Sequence, residues 1–224
     1  MSIFSNPLLT NLTGLSALTS IGGDVYIFGN NLLTNLNGLN ALASIGGSLN
    51  VYSNPMTDLT GLNALTSVTG NVDILYMTIT SLSGLNNLNS IGGNLNISFT
   101  AIQNLTGLGS LTNLGGNLTL NNNGSLTNVT ALAALTTIGG SLTISNNGAL
   151  PSLNGLHNVV AGSITSLVLT NNSLLSVCDL ANICDYLSEP TNPATISGNA
   201  SGCATRPEVE AACTPVVCPT GDLT

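Results

Sequence analysis

The chain repeats itself every 23 or 24 residues, and that period leaves it very few architectures. A Leu-x-Gly-Leu unit stands at Leu12-Thr13-Gly14-Leu15 and returns at Leu36-Asn37-Gly38-Leu39, Leu59-Thr60-Gly61-Leu62, Leu82-Ser83-Gly84-Leu85 and Leu105-Thr106-Gly107-Leu108. Degraded copies follow at residues 129–132 and at Leu153-Asn154-Gly155-Leu156. An Ile-Gly-Gly landmark keeps step at residues 21–23, 45–47, 91–93 and 138–140, softened to Val68-Thr69-Gly70 and Leu114-Gly115-Gly116. A unit this short cannot bury its apolar face alone. It buries it against the copies above and below, so a fixed period in this range specifies a solenoid.

Each unit has the same internal grammar. After the Gly pair, apolar and polar residues alternate, as in Val25-Tyr26-Ile27, Leu49-Asn50-Val51, Val72-Asp73-Ile74, Leu95-Asn96-Ile97, Leu118-Thr119-Leu120 and Leu142-Thr143-Ile144, with Leu167-Val168-Leu169 as the seventh. Alternation over a short run marks a half-buried strand. Seven parallel strands at about 4.8 Å each make a sheet roughly 30 Å long. A column of Asn30, Asn54, Asn123, Asn147 and Asn172 follows the strands, interrupted by Met77 and Thr100. Inward amides there would satisfy backbone groups of adjacent coils where the chain turns. The remaining arc spaces its apolar residues by three, as in Leu36, Leu39, Leu42 and Ile45, which suits extended chain or tight helical turns better than an α-helix.

The expected architecture is a right-handed, parallel, β-rich solenoid of about seven coils over residues 5–177. A small disulfide-stapled helical cap is expected over 178–213, and residues 214–224 read as a linker to a downstream domain. The start in mid-repeat at Ser5-Asn6-Pro7, with no basic, apolar leader, reads as an excerpt of a longer exported precursor, and the expected form is a monomer within a larger multidomain protein.

Charge is sparse: only 4% of residues carry any, and the single cation is Arg206. Of the acids, Asp24, Asp58 and Asp73 lie in the repeats, whereas Asp179, Asp185, Glu189, Glu208, Glu210 and Asp222 lie beyond them. A surface without Lys or Arg cannot neutralise phosphates, which argues against nucleic acid and against anionic membrane surfaces. No apolar run is long enough to span a bilayer, so no membrane insertion is expected.

All five cysteines (Cys178, Cys184, Cys203, Cys213 and Cys218) fall after the repeats, which reads as a disulfide-stapled cap in an oxidising compartment. Their spacing does not make zinc knuckles, and the lone His157 is distant, so no metal and no cofactor is expected. Four cysteines allow three pairings. The pairing expected is Cys178–Cys203 with Cys184–Cys213, joining a short helix over 179–187 to a second helix that starts at Pro207, with Glu208 favourable in its first turn. Cys218 is left for a partner outside the chain.

The Leu-x-x-Ile-Gly-Gly-x-Leu-x-Ile-x-x-Asn-x-x-Leu pattern resembles leucine-rich repeats, and more narrowly the receptor L domain type found in secreted Bacteroidetes (flavobacterial) proteins. Segments 158–164, 174–186, 196–203 and 208–213 resemble the terminal repeat and cap of such proteins. The resemblance covers essentially the whole chain. It implies a secreted or cell-surface recognition module and supplies no catalytic residue.

No catalytic constellation is visible, so no enzyme is expected: there is no Gly-x-Ser-x-Gly elbow, and the Gly pairs recur once per coil without any Lys to accompany a phosphate. Asp24 and Asp73 fall on different coils of the strand face with no supporting pattern around them. The expected function is recognition or adhesion, with an extracellular glycan or protein bound on the strand face. Its outward residues include Tyr26, Phe28, Tyr52, Asp73, Leu75 and the adjacent Tyr76, where aromatic rings sit among Asn, Thr and Ser. The alternative is an ice surface, met by hydroxyl columns. One contains Thr10, Thr34, Thr57, Thr80 and Thr127; a second Thr13, Thr60, Thr106 and Thr130; a third Thr66, Thr112 and Thr136. Such columns also suit ordinary solvation of a coil built from β-favouring residues, and the irregular entries Ala43, Asn89 and Gln103 lean that way.

Overall fold

A computed structural model describes residues 1–213. The alternating segments form nine strands: β1 Ser2–Phe4, β2 Val25–Phe28, β3 Leu49–Tyr52, β4 Val72–Met77, β5 Leu95–Thr100, β6 Leu118–Asn121, β7 Ser141–Ser145, β8 Ser166–Thr170 and β9 Ala194–Ser197. They lie side by side in chain order, and every neighbouring pair is parallel. The chain is therefore a parallel β-solenoid, and its sheet extends the seven expected strands by one at each end.

The register explains the alternation. Val25, Leu49, Val72, Leu95, Leu118, Leu142 and Leu167 align as one buried column. Ile27, Val51, Ile74, Ile97, Leu120, Ile144 and Leu169 form a second. Behind them the three-residue spacing places Leu36, Leu39, Leu42 and Ile45, and their copies, in one continuous aliphatic core.

The ambiguous arc turns out to contain a second, narrow parallel sheet. Its strands are two residues each: Ser20–Ile21, Ser44–Ile45, Ser67–Val68, Ser90–Ile91, Asn113–Leu114 and Thr137–Ile138. Elsewhere the arc makes turns and short 3-10 segments such as Thr13–Leu15 and Thr130–Ala134. The glycine of the Leu-x-Gly-Leu unit is obligatory in five of the coils, though not at Gly14, where a Cβ would meet open space. Gly38, Gly61, Gly84, Gly107 and Gly155 have φ between +110° and +121°. A Cβ at any of them would run into the carbonyl of the preceding coil.

The Asn column is a buried ladder. Asn30 accepts the backbone N–H of Asn6 (3.2 Å) and donates to the Ile3 carbonyl (3.0 Å). The same two bonds recur from Asn54 to Asn30 and Ile27, and from Asn147 to Asn123 and Leu120. Asn172 and Asn199 carry the pattern to the end of the sheet. Each coil thus satisfies its neighbour's turn, which would otherwise be buried and unpaired. At Met77 and Thr100 the amide is missing, and there β4 and β5 run longer, with Met77 paired against Thr100.

A second ladder precedes the strands. Asp24 accepts from the Ser48 N–H, Ser48 from Asn71, Asn71 from Asn94, Asn94 from Asn117 and Asn117 from Ser141, all at 2.7–3.0 Å.

The cap begins where the last coil ends. Helix α1 spans Ala181–Leu187 and helix α2 spans Arg206–Cys213. The disulfides are Cys178–Cys203 and Cys184–Cys213, the second joining α1 to α2. Asn182 donates to the carbonyls of Leu156 and Val159, both at 2.9 Å, and so fixes α1 on the last coil. Arg206 is fully engaged within the cap, pairing with Glu210 (2.6 Å) and donating to the carbonyls of Asn192, Leu187 and Glu189. Glu208 accepts from the N–H groups of Gly202 (2.8 Å) and Ala204 (2.9 Å), which hold its carboxyl below the usual carboxylate range. The linker expectation and Cys218 lie outside the described residues.

Candidate recognition face

Outward side chains of the nine-stranded sheet fall into two columns. One holds Ser2, Tyr26, Asn50, Asp73, Asn96, Thr119 and Thr143. The other holds Phe4, Phe28, Tyr52, Leu75, Ser98, Asn121 and Ser145. The structure therefore brings Tyr26, Phe28, Tyr52, Asp73 and Leu75 onto one face. Parallel register stacks like on like, so Phe4, Phe28 and Tyr52 form a ring stack with centroids 5.0 Å apart at each step.

Tyr76 lies one position further along, in a column with a different rule. At this position the chain leaves each strand through the left-handed region, at Ser5, Gly29, Ser53, Asn122, Asn146, Asn171 and Gly198. These are the small or turn-forming types that tolerate positive φ. In β4 and β5 the same position is held by Tyr76 (φ 54°) and Phe99 (φ 57°). A bulky side chain there costs about 1–2 kcal/mol. The two rings stack at 4.8 Å and remain 60% and 45% exposed, so burial does not offset that cost. Backbone strain of this kind clusters at functional sites, which makes the pair a candidate for one.

Sequence reasoning misses Phe4 and Phe99. Phe4 precedes the first complete repeat. Phe99 falls outside the inside–outside alternation. Aligning the coils position by position would expose it as an aromatic in a column of Ser, Gly and Asn.

The polar column has one charge. Asp73 is half-buried between Asn50 and Asn96. Desolvation pushes its carboxyl above the usual range, opposed by a hydrogen bond from Asn96. Ser98 donates to Asn96 Oδ1 (2.6 Å), which leaves the Asn96 amide to face Asp73. Tyr26 donates weakly to Asp24 (3.4 Å), whose charge, with desolvation behind it, raises the phenol pKa.

The hydroxyl columns lie elsewhere on the coil. All twelve threonines reach the surface, Thr60 only partly. Many hydroxyls are engaged internally. Thr66, Thr112 and Thr136 donate to the carbonyls of Ala43, Asn89 and Thr112 at 3.0–3.2 Å. Thr80 and Thr127 bond to the carbonyls of Thr57 and Gln103 (3.4 and 2.9 Å). Thr13 and Thr130 bond to Asn11 and Asn128.

Fold and face together define a parallel β-solenoid with an aromatic ridge on a polar sheet that is nearly free of charge. No protein-family model matches the chain, and no curated protein matches it in sequence. Two disulfides point to an oxidising environment. Among the described residues no helix is long and apolar enough to cross a membrane.

Proposed function

We propose that this protein is a non-enzymatic extracellular recognition and adhesion module that binds a polypeptide on its strand face. The observation that carries the reading is the Tyr76–Phe99 pair, two exposed rings held at a backbone position that disfavours them. A glycan would need open ring faces to lie against. Here the stacked rings cover one another's faces and present mainly their edges, as a ridge over five coils. Such a ridge suits apolar side chains, and the flanking amides suit a backbone. The resemblance to secreted leucine-rich repeats points the same way.

The test is binding of the protein to a glycan array and to surface proteins of neighbouring cells, each repeated with Tyr52→Ala and with Tyr76→Asn/Phe99→Asn. Protein ligands lost by about tenfold or more on ring removal support the reading. Ligands indifferent to all these substitutions, or glycans alone, reject it.

Ice binding is the second reading, favoured by the narrow parallel sheet and its uncharged Thr-lined border. Thermal hysteresis abolished by Thr60→Tyr or Thr66→Tyr would establish it over the first.

A further inference from the structure

The strand face contains two carboxylates: Asp24 at its margin, engaged by Ser48 and Tyr26, and Asp73 in its middle, with no Lys or Arg of the described residues beside it. Asp73 lies at the centre of the polar column, beside the aromatic ridge: Tyr52 and Leu75 occupy the next column, and Tyr76 follows Leu75. Its neighbours in register, Asn50 and Asn96, are neutral. Asn96 is oriented toward it by Ser98. The chain's only Lys or Arg is Arg206, and that guanidinium is held by Glu210 and three carbonyls in the cap. A partly desolvated carboxylate without a cation is a cost in the free protein. An Asn in its place would match the residues on both sides.

We propose that the polypeptide bound on the strand face carries a lysine or arginine whose charged end meets Asp73, while adjoining apolar side chains lie along the two ring stacks. The inference rests on the polypeptide-binding reading above and adds the chemistry of the partner. A second copy of this chain offers no free Lys or Arg for that contact, because its only such residue, Arg206, is already engaged in the cap. The net charge of −8 favours the approach of a basic segment, and the near-absence of other charge on the face gives Asp73 the choice of register.

The experiment is selection of random displayed linear peptides against the intact protein, followed by titration of the best binder against wild type, Asp73→Asn and Tyr76→Asn/Phe99→Asn. Selected peptides are expected to combine Arg or Lys with apolar residues. Asp73→Asn should weaken binding about tenfold or more and remove most of its salt dependence, with the melting temperature unchanged or raised. That combination separates a ligand contact from a structural role. Peptides that need the rings but are indifferent to Asp73→Asn overturn this inference and leave the polypeptide-binding reading standing. No enriched peptide, or peptides indifferent to both variants, overturns both.

Discussion

The repeat body and the cap are held together by opposite kinds of bond. The body, through residue 177, contains three charged residues, Asp24, Asp58 and Asp73. Its order comes from aliphatic layers, close glycine contacts and neutral amide ladders in which each coil supplies the partner for the next. In the cap the amide ladder reaches its last rung among the described residues at Asn199. The cap is closed instead by two disulfides, the Arg206 network and the Glu208 carboxylate on backbone N–H groups. Repetition lets neutral bonds between like neighbours suffice in the body, and at this end covalent and ionic bonds take their place.

The comparison can be broken at its strongest point first. Leu85→Ala removes one leucine from a fully buried layer and should cost about 2–5 kcal/mol by chemical denaturation, with the whole body affected. Asn147→Ala should follow at about 2–4 kcal/mol, since it leaves the Asn123 N–H and the Leu120 carbonyl buried without a partner. Loss of the Cys184–Cys213 bridge in a double Ser variant should cost about 2–4 kcal/mol. Hydrogen exchange should then speed up in α1 and α2 while β3 to β6 stay protected; equal loss in both regions would contradict the division drawn here. Tyr76→Asn should stabilise by about 1 kcal/mol, because it restores the residue type of Asn122 and Asn146 at a left-handed position.

Acidification should sharpen the contrast with the smallest effect. The folded-state pKa of Glu208 is lowered from 4.5, so its contribution is present above that value and is lost as pH falls through the folded one. The folded-state pKa of Asp73 is raised from 3.8, so its desolvation penalty is present at neutral pH and disappears on protonation. Lowering pH from 6 toward 3 should therefore loosen α2 and relieve the strand face. Exchange rates of the two regions, corrected for intrinsic pH dependence, measure this directly.

Much of the fold is legible in the sequence because a solenoid repeats its constraints. The same Leu, Gly and Asn return at the same place, and Asn30 or Asn147 needs only one explanation. Two short helices over one end suit the Cys184–Cys213 bridge, whereas the spacing of the four cysteines leaves all three pairings open. The narrow second sheet is not legible, since two residues such as Ser44–Ile45 cannot show an alternation. The ladder of Asp24, Ser48, Asn71, Asn94, Asn117 and Ser141 hides behind three residue types that share only a short side-chain oxygen. The candidate site is half legible. Tyr26, Phe28, Tyr52 and Leu75 follow from period two, whereas Phe99 depends on a backbone angle that the hydrophobic pattern does not encode.

Coils so alike raise a problem of alignment during folding. A coil placed against the wrong copy would find almost the same bonds, because Leu, Gly and Asn are interchangeable from one turn to the next. Tyr76 and Phe99 are not interchangeable. Their rings meet when β4 lies directly against β5; if β5 were looped out and β6 took its place, Tyr76 would sit beside Asn122 and the ring contact would be lost. The pair thus marks one position in the stack where a slipped coil would lose a contact that the repeated Leu, Gly and Asn cannot replace.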